Sequence, residues 1–434
     1  MQLSKYIVEV PFRTDSIIFS TLSHAVIKLN KEKRDALISG CYTCFTDDEL
    51  RFLREKHFLV DDRLNESKLL WHVLTKDRLH PAELSTFIVL STTCNFSCIY
   101  CYEDGQVDES TMSEETLSST LKWYSQTLEK NRYSKCHVIL YGGEPLLPSV
   151  LLKRFISEME NLTKNLGVDL SFSIITNGSL LTPETLNYLV SHNLKEIQVT
   201  LDGTQPIHDQ RRMFKTGDGT FNIILENLKE ALSYNIDLTI RISFDSSNLH
   251  DIKNLIHLLK TEGFARPGVY IYFAPIHQTT VQKNNPCSFC SKNIYLCHGD
   301  IADIYCQLYE LSYSEGFWIP TYYTNGPCMM VGNDSSLISP NGDLYKCVEM
   351  INLPNLKVGS VYQTEYNSFY YDVITAPAMN ECIYSECIYA PLCCGGCAME
   401  AYLKNSDILS KVCHRDIFEK VTKHLLKLKY ASDK

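Results

Sequence analysis

Three cysteines that lie close together in the sequence, Cys94, Cys98 and Cys101, could hold an iron–sulfur cluster. Three residues separate the first two and two residues separate the last two. Thiolates at this spacing in one loop can reach three irons of a single [4Fe–4S] cube. The fourth iron would remain open for another ligand. The loop also directly follows the apolar segment 86–91, which is predicted to be a β-strand.

The chain has 18 cysteines in all, and a second group lies towards its C-terminal end: Cys328, Cys347, Cys382, Cys387, Cys393, Cys397 and Cys413. In a long chain without an export signal, clustered cysteines favour metal binding over disulfide bonds, which remain the alternative. Zinc is the alternative to iron, because four thiolates also form a tetrahedral zinc site. We expect Cys136, inside a predicted strand, to be a buried apolar side chain. Cys394 is expected to lie beside the ligands without binding metal. Cys41 and Cys44 are expected to pack within the N-terminal unit and not to bind metal.

With 44% hydrophobic and 21% charged residues, the composition is that of an ordinary globular protein. A chain of 434 residues is expected to form two or three packed units. The net charge of -10 argues against nucleic acid as a partner, because phosphate binding needs a basic surface. The first residues do not resemble a signal peptide, and no apolar run is long enough to span a membrane. We therefore expect a cytoplasmic protein without a membrane partner.

Strands and helices are predicted to alternate through the middle of the chain. The apolar strand candidates are 86–91, 137–141, 170–175, 197–201, 237–243 and 269–273. The amphipathic helix candidates between them are 113–129, 150–165, 183–192, 219–235 and 249–262. This order predicts an α/β fold, a partial (β/α)6 TIM-like barrel with a parallel sheet. Such barrels carry their chemistry at the carboxyl ends of the strands, where this sequence has glycines and polar residues.

The first 80 residues are predicted to form a separate small unit. Segments 6–12 and 16–29 are rich in Val, Ile, Phe and Thr and predict two extended stretches. Helices are predicted at 31–39 and 46–56, and a short strand at 58–60.

The cysteine loop has an aromatic residue, Tyr100, directly before its last cysteine, which resembles the CxxxCxΦC signature of the radical S-adenosylmethionine (SAM) superfamily. Its members bind SAM at the open iron and cleave it to a 5′-deoxyadenosyl radical that abstracts hydrogen. Three further matches follow successive predicted strands: Gly142-Gly143-Glu144-Pro145, Thr176-Asn177-Gly178 and Leu201-Asp202-Gly203. The resemblance implies a cofactor site in which Gly142, Gly143 and Glu144 hold the amino group of SAM, Thr176 and Asn177 line its ribose, and Tyr100 and Asp202 also take part.

The C-terminal cysteines resemble those of the SPASM domain, which carries two auxiliary [4Fe–4S] clusters. The matching features are Gly342, five residues before Cys347, and the run Cys387-x5-Cys393-x3-Cys397. The resemblance implies an auxiliary site I, which consists of Cys328, Cys347 and Cys397, and an auxiliary site II, which consists of Cys382, Cys387, Cys393 and Cys413. With the first loop, it implies three [4Fe–4S] clusters.

The sequence departs from the SPASM pattern at both auxiliary sites. Four residues separate Cys382 from Cys387, where the family has two, and the segment 319–327 contains no cysteine that could complete site I. Either a residue of the connector closes site I or the site stays open for a substrate thiolate. The connector candidates are Cys287, Cys290, Cys297 and Cys306.

The resemblance implies four units: a peptide-recognition-like, winged-helix-like unit (1–80), a radical SAM core (81–275), a cysteine-containing connector (276–326) and a SPASM domain (327–434). The alternative for the first unit is a plain cap on the barrel. A recognition unit would capture a leader peptide as an added strand.

Relatives with this C-terminal domain include anaerobic sulfatase maturases and maturases of ribosomally made peptides (RiPPs). Sulfatase maturases have a catalytic aspartate directly after the cysteine of the Gly-x4-Cys motif, whereas this sequence has Val348 followed by Glu349. We therefore expect a peptide maturase that installs a crosslink (thioether or C–C) or another modification, with Glu349 as the candidate catalytic base. Its expected electron donor is a flavodoxin or ferredoxin. The alternatives are a sulfatase-maturase-like oxidation of a protein residue and a non-catalytic iron–sulfur or zinc protein.

Overall fold

The computed structural model describes residues 1–101, 109–276, 298–324, 326, 328–351 and 353–431. The N-terminal unit comprises strands β1 (Gln2–Leu3), β2 (Ile7–Phe12), β3 (Asp15–Ser20), β4 (Val26–Asn30) and β5 (Leu59–Val60) and helices α1 (Lys31–Ser39), α2 (Asp47–Glu55) and α3 (Glu66–Leu79). Strands β2, β3 and β4 form an antiparallel sheet in that order, and β1 pairs with β5. A 3-10 turn, Tyr42–Cys44, joins α1 to α2.

Both predicted helices of this unit are confirmed, and α2 begins after Thr46, whose side chain accepts a hydrogen bond from the backbone N–H of Glu49. The prediction of one extended stretch over 16–29 is wrong. A turn separates β3 from β4, and His24 adopts a left-handed conformation there (φ 62°). Helix α3 was not predicted.

The sheet of the N-terminal unit is buried on both faces. Val10 and Phe19 pack on one face against the C-terminal residues Tyr389 and Phe418. Ile18 on the other face packs among side chains of α1 and α2. The unit is therefore attached to the C-terminal part of the chain through an apolar interface.

The middle of the chain forms the predicted alternation of strands and helices. Its strands are β6 (Glu83–Val89), β7 (Phe96–Cys98), β8 (Lys135–Tyr141), β9 (Asp169–Thr176), β10 (Leu194–Thr200), β11 (Arg212–Phe214), β12 (Asp237–Phe244) and β13 (Val269–Pro275). Its helices are α4 (Glu114–Asn131), α5 (Ser149–Leu166), α6 (Pro183–Ser191), α7 (Gln205–Arg211), α8 (Phe221–Ala231) and α9 (Leu249–Thr261). Strands β6, β8, β9, β10, β12 and β13 pair in parallel in that order. All six strand and five helix predictions are confirmed, and the α/β fold class with them.

The parallel sheet does not end at β6, as the prediction of six strands implied. The rest of the chain comprises α10 (His298–Ser314), β14 (Leu337–Ile338), β15 (Asp343–Tyr345), β16 (Gly359–Ser360), α11 (Ser368–Ile374), α12 (Pro377–Tyr384), α13 (Ala390–Cys393), α14 (Ala398–Asn405) and α15 (Arg415–Ala431). Strand β14 pairs in parallel with β6, and β15 and β16 follow it, so the described sheet has 9 strands. Short 3-10 turns at Met329–Val331, Val348–Met350 and Pro354–Leu356 connect these elements.

Amphipathic packing explains why these elements form. Apolar side chains of β8, α4 and α5, such as Leu140, Tyr124 and Phe155, belong to one core that covers the outer face of the sheet. Helix α10 packs along α15. Throughout the described part of the chain, every helix is too short or too polar to cross a lipid bilayer.

Candidate active site

A cavity of about 330 Å³ opens at the carboxyl ends of the parallel strands. Nine of the predicted site residues line it: Cys94, Cys98, Tyr100, Cys101, Gly142, Gly143, Thr176, Asn177 and Glu349. Thr200, Arg212 and Arg241 complete its polar wall. Glu144 and Asp202 do not line the cavity but lie fully buried behind it.

The cysteine loop is part of a small β-ribbon. Strand β7, which contains Cys98, pairs antiparallel with β11, so that Arg212 lies opposite this cysteine. The guanidinium of Arg212 donates a hydrogen bond of 3.0 Å to the hydroxyl of Tyr100, which in turn donates one of 2.9 Å to Asp202. The ribbon therefore connects the cysteine loop to the end of β10.

The two glycines after β8 allow close backbone packing against the cysteine loop. A Cβ atom on Gly143 would lie 2.3 Å from the carbonyl oxygen of Thr92, and one on Gly142 would lie 2.5 Å from that of Ser91. The backbone N–H of Gly143 donates to the carbonyl oxygen of Ser91, and that of Glu144 donates to the carbonyl oxygen of Thr93. Any side chain here would push the loop outwards.

The side chain of Glu144 joins the ends of two strands. Its carboxylate accepts hydrogen bonds of 2.7 Å from the hydroxyl of Thr176 and of 2.7 Å from the backbone N–H of Asn177. Burial raises the pKa of Glu144, and these hydrogen bonds oppose that shift. Asn177 in turn donates to Asn95, 2.8 Å away in the cysteine loop, and its amide nitrogen lies 3.9 Å from the sulfur of Cys94.

A buried ion cluster supports the cavity from below. Arg211 donates to Asp202 at 3.1 Å and to Asp245 at 2.7 Å, and all three side chains are almost completely buried. It also donates to the hydroxyl of Ser247 at 2.7 Å. Burial would lower the pKa of Arg211, but the two carboxylates outweigh it and raise the pKa. Through Arg211, this ion cluster joins the ends of β10 and β12 to β11, the strand that pairs with β7 of the cysteine loop.

The cavity wall has an excess of positive charge that suits an anionic ligand. Burial opposes the charge of Arg212, but the nearby Cys98, Tyr100 and Asp202 raise its pKa well above the usual value. Among the described residues, the Nε atoms of Arg212 and Arg241 are buried and have no hydrogen-bond partner. An anion such as a carboxylate could accept from them.

The three thiols of the cysteine loop line the cavity. None of the described cysteines forms a disulfide bond, so each keeps its thiol. Thiolates around one zinc ion converge, since each sulfur lies about 2.3 Å from the metal. No three acidic, His or Cys side chains of the described residues converge in this way. A cube at this loop would take one thiolate at each of three irons.

The sequence profile of the Radical SAM superfamily matches residues 88–259, from β6 to α9. The chain carries a radical SAM domain. It is an enzyme of that superfamily, which implies a [4Fe–4S] cluster and SAM as cofactors. The alternative of a non-catalytic metal protein is therefore wrong.

Several maturation enzymes resemble most of the chain. The Cysteine-type anaerobic sulfatase-maturating enzyme of Clostridium novyi (strain NT) is 23% identical over 333 residues, which cover 71% of this chain and 85% of the relative. The structure of native anSMEcpe with bound AdoMet and Kp18Cys peptide has a TM-score of 0.63 at 18% identity and covers 80% and 99% of the two chains. Streptococcus suis SuiB bound to precursor peptide SuiA has a TM-score of 0.52 at 13% identity and covers 94% and 98%. At these identities the two structures establish the fold alone.

The residues around the cavity fit the cofactors of a radical SAM domain. The thiols of Cys94, Cys98 and Cys101 form no disulfide bond and provide the soft ligands that iron–sulfur clusters need. The unpartnered Nε of Arg212 provides a donor for a carboxylate, a group that SAM carries.

We expect Gly143→Ala to destabilise the radical SAM domain, because the new methyl group would overlap the carbonyls of Thr92 and Thr93. Overpacking of this kind costs about 1–3 kcal/mol. The thermal midpoint should fall, and the displaced cysteine loop should retain less iron. Gly167→Ala at the end of α5 is the control for iron content, since its left-handed φ of 67° makes alanine costly in stability while no atom lies within 4 Å of its Cβ position. Equal iron content in the two variants would contradict the packing argument.

The residues of auxiliary site I lie close enough to interact electrostatically. Burial raises the pKa of Cys347 well above its usual value, and the charges of Glu349, Cys328 and Cys397 raise it further. Cys397 precedes α14, and burial and the charges of Glu349 and Cys328 raise its pKa to about 11. Cys328 precedes the turn Met329–Val331, and its sulfur accepts from a backbone N–H of that turn at 3.5 Å. The charges of these three thiols and of Glu349 therefore influence one another across three separate segments of the chain.

The residues of auxiliary site II also form one group. Burial raises the pKa of Cys382 to about 12, with further contributions from the charges of Cys393, Cys387 and Cys413. Gly395 and Gly396, which follow Cys393 and Cys394, allow the backbone to pack closely. A Cβ on Gly396 would lie 2.2 Å from the carbonyl oxygen of Val412, directly before Cys413.

The other cysteines have different environments. Cys136 is fully buried, as predicted, and burial raises its pKa to about 12. Cys306 lies in α10, where its charged neighbours are Lys420, Asp303 and Glu310. Cys44 packs against the N-terminal core, but the packing prediction is wrong for Cys41, which is exposed. Cys394 is buried next to Gly326. The connector candidates Cys287, Cys290 and Cys297 lie outside the described residues.

Sequence reasoning missed the residues that hold the cavity in place. Asn95 is an unspecified position of the cysteine motif, and Asp245 and Arg241 belong to none of the motifs described above. A signal for Arg241 was present, because an arginine in the middle of an apolar strand is unusual unless it faces a cavity.

Proposed function

We propose that this protein is a peptide maturase that cleaves SAM at the Cys94–Cys98–Cys101 loop and takes hydrogen from a peptide held in the same cavity. The observation that carries the proposal is the cavity itself, which the three thiols share with Glu349, a residue of the C-terminal part. A bound cluster would supply the electron that cleaves SAM to the 5′-deoxyadenosyl radical. Relatives bound to peptides support a peptide as substrate.

The chain's own residues would bind and orient these cofactors. We propose that Gly142, Gly143 and Glu144 shape the wall at the amino group of SAM and that Thr176 and Asn177 line its ribose. Arg212, with its free Nε, would take the carboxylate. Tyr100 and Asp202 would keep the cysteine loop in place through their mutual hydrogen bond of 2.9 Å.

We further propose that residues 327–434 are a SPASM domain with two auxiliary clusters at sites I and II, so that the protein holds three [4Fe–4S] clusters. The support is that the cysteines of each set are near enough for their charges to raise one another's pKa. The auxiliary clusters would accept the surplus electron from the substrate radical. A flavodoxin or ferredoxin would reduce the first cluster.

Glu349 is the proposed catalytic base. It follows Cys347 by two residues and lines the cavity, so a substrate there lies within its reach. Removal of a proton from the substrate radical or its neighbour needs such a group. Sulfatase-maturase-like oxidation of a protein residue is the second candidate, which the Clostridium novyi relative favours. Val348 in place of an aspartate favours the peptide maturase.

A direct test first searches beside the gene for a short reading frame rich in Cys, Tyr or Gly and uses the peptide it encodes, together with a sulfatase peptide. With SAM and dithionite under anaerobic conditions, deuterium from a labelled core residue should appear in 5′-deoxyadenosine, and the peptide mass should change. A sulfatase peptide that is turned over instead would support the second candidate. Deoxyadenosine without label from either peptide would contradict hydrogen abstraction from a peptide.

We propose that the N-terminal unit, residues 1–80, binds a leader peptide along β4. This strand is an edge of its sheet and has no pairing strand on its outer side among the described residues. The opposite edge strand, β2, contains Pro11, which cannot donate to an added strand. The pair Ser20 and Ala25 is hydrogen-bonded, so by alternation the N–H of Lys28 points away from β3. It is therefore available to a leader peptide that extends the sheet.

Lys28→Pro should weaken leader binding by about tenfold or more, or about 1.4 kcal/mol, because it removes this outward N–H. The pairing of β4 with β3 should survive, since that N–H does not take part in it. Lys28→Ala is the matched control, as it removes the same side chain and keeps the N–H. Fluorescence anisotropy with the labelled peptide measures the affinity. Equal binding by the two variants would refute capture along β4 and favour a plain barrel cap.

A further inference from the structure

The wall of the active-site cavity contains two arginines with different surroundings. Arg212 lies on β11 beside the cysteine loop and donates a hydrogen bond of 3.0 Å to the hydroxyl of Tyr100. Arg241 lies on β12, in line with Thr200 of β10 and Tyr272 of β13. Within the described part of the chain, no carboxylate forms an ion pair with Arg241, and its Nε is buried without a hydrogen-bond partner. The protein therefore provides no direct counter-ion for this charge among those residues.

The position of Arg241 in an apolar strand makes an unpaired charge costly. Its neighbours along β12, Ile240 and Ile242, are fully buried, and the arginine itself is half-buried. A charged group that loses water without gaining a partner costs free energy, so a ligand is expected at such a group. The guanidinium carbon lies 6.0 Å from the centre of the Tyr272 ring, a contact that uses none of its N–H donors. Because Arg241 lines the cavity, a bound ligand can accept from those donors.

The other cations of the cavity wall already have an anionic partner or an assigned one. SAM carries one carboxylate, which the proposed function assigns to Arg212, next to the cysteine loop through the pairing of β11 with β7. Lys215, the third cation among the described residues of the wall, forms an ion pair of 2.5 Å with Glu109. Arg241 is therefore the cation that remains for a second anionic group. The second molecule of the proposed reaction in this cavity is the peptide.

We propose that Arg241 binds a carboxylate of the substrate peptide, either an acidic side chain or the C-terminal carboxylate. This inference rests on the proposed function and goes beyond it by naming a group that the substrate carries. The planar guanidinium can donate two parallel hydrogen bonds to a carboxylate, which fix the orientation of the peptide as well as its position. A fixed orientation decides which carbon of the peptide faces SAM. Arg241 thereby selects peptides that have a carboxylate at the right distance from the reacting carbon.

The test uses full-length enzyme, reconstituted without oxygen and loaded with SAM, and blocked tripeptides as probes. Acetyl-Gly-Glu-Gly-amide has a side-chain carboxylate, acetyl-Gly-Gly-Gly has a C-terminal one, and acetyl-Gly-Gln-Gly-amide has neither. Calorimetric titration should show that at least one acidic probe binds the wild-type protein about tenfold or more tightly than the neutral probe, because hydrogen bonds to charged groups are strong. The acidic probe that binds more tightly identifies the source of the carboxylate. Arg241→Gln should abolish the preference, and Arg241→Lys should restore part of it, since lysine keeps the charge but not the planar fork.

Lys215→Gln is the matched control, because it removes one positive charge from the same wall and should keep the preference. Equal affinity of the wild-type protein for acidic and neutral probes would overturn the proposal, and this comparison needs no substitution that could impair folding. A preference that persists in Arg241→Gln would also overturn it. So would a loss of SAM affinity by about tenfold in that variant, since the carboxylate at Arg241 would then be that of SAM.

The outcome of this test is separate from that of the proposed function. Transfer of deuterium from the labelled peptide to 5′-deoxyadenosine tests whether a peptide is the substrate. If that transfer occurs and the probes show no preference, the assignment of Arg241 alone is wrong. If the probes show the preference and no label is transferred, the carboxylate site stands and hydrogen abstraction from a peptide is contradicted.

Discussion

Replacement of Cys94, Cys98 and Cys101 together by alanine should abolish the formation of 5′-deoxyadenosine from SAM, by roughly a thousandfold or more, because SAM then has no electron source. Iron should fall from about twelve to about eight per chain if the proposed auxiliary clusters are intact. The measurement is anaerobic incubation with SAM and dithionite, followed by chromatography and iron counting. Since all three thiols line one cavity, the loss should be complete and not graded.

The control for this experiment removes the same number of thiols elsewhere. A variant with Cys41, Cys44 and Cys306 changed to alanine should keep its iron and its deoxyadenosine production, because these residues lie in the N-terminal unit and in α10. The assignment fails if the active-site variant still makes deoxyadenosine. It also fails if the wild-type protein purifies with zinc bound at the Cys94 loop.

Arg211→Met should lower the free energy of unfolding by about 3–5 kcal/mol, the usual cost of leaving buried charges without their partner. Arg211 pairs with Asp202 and Asp245, which are both fully buried. The substitution should also weaken retention of the iron–sulfur cluster, because Asp202 accepts the hydrogen bond of Tyr100 in the cysteine loop. Denaturant unfolding measures the first effect, and iron content measures the second.

Two further variants make this prediction specific. Arg154→Met removes an exposed pair with Glu114 and should change stability by less than about 1 kcal/mol. Adding Asp245→Asn to Arg211→Met should recover part of the lost stability, since one buried charge is then removed. If Arg211→Met is as stable as Arg154→Met, the buried cluster does not support the fold.

The strands and helices of the barrel could be predicted because each has its own pattern of apolar residues over a short stretch of sequence. Each strand is a short apolar run, and each helix, such as α4 after its cap Ser113, has an apolar stripe. Helix α3 escaped prediction because its apolar residues are spread around the helix, and Trp71 is partly exposed. Its buried Leu70 packs against residues of α12 and α13, which lie far away in the sequence. The sequence near α3 therefore does not show which of its faces is buried.

The same reasoning explains which parts of the candidate site were found. The cysteines and glycines have fixed spacing and stand at strand ends, so the sequence pointed to them directly. The contacts of Asn95 with Asn177 and of Arg211 with Asp245 join residues from different strand ends. Such pairs have no spacing rule, and only the closed fold brings them together. The pairing of β14 with β6 was missed for the same reason.

That last pairing has a consequence for how the protein is made. Phe87 of β6 pairs with Leu337 of β14, although a ribosome releases β6 long before β14. During synthesis one side of β6 stays without its partner, and its N–H and C=O groups and the apolar Val89 remain uncovered. The nascent barrel is therefore vulnerable to aggregation until most of the polypeptide has emerged. Slow translation or low temperature should then favour the yield of folded protein over that of inclusion bodies.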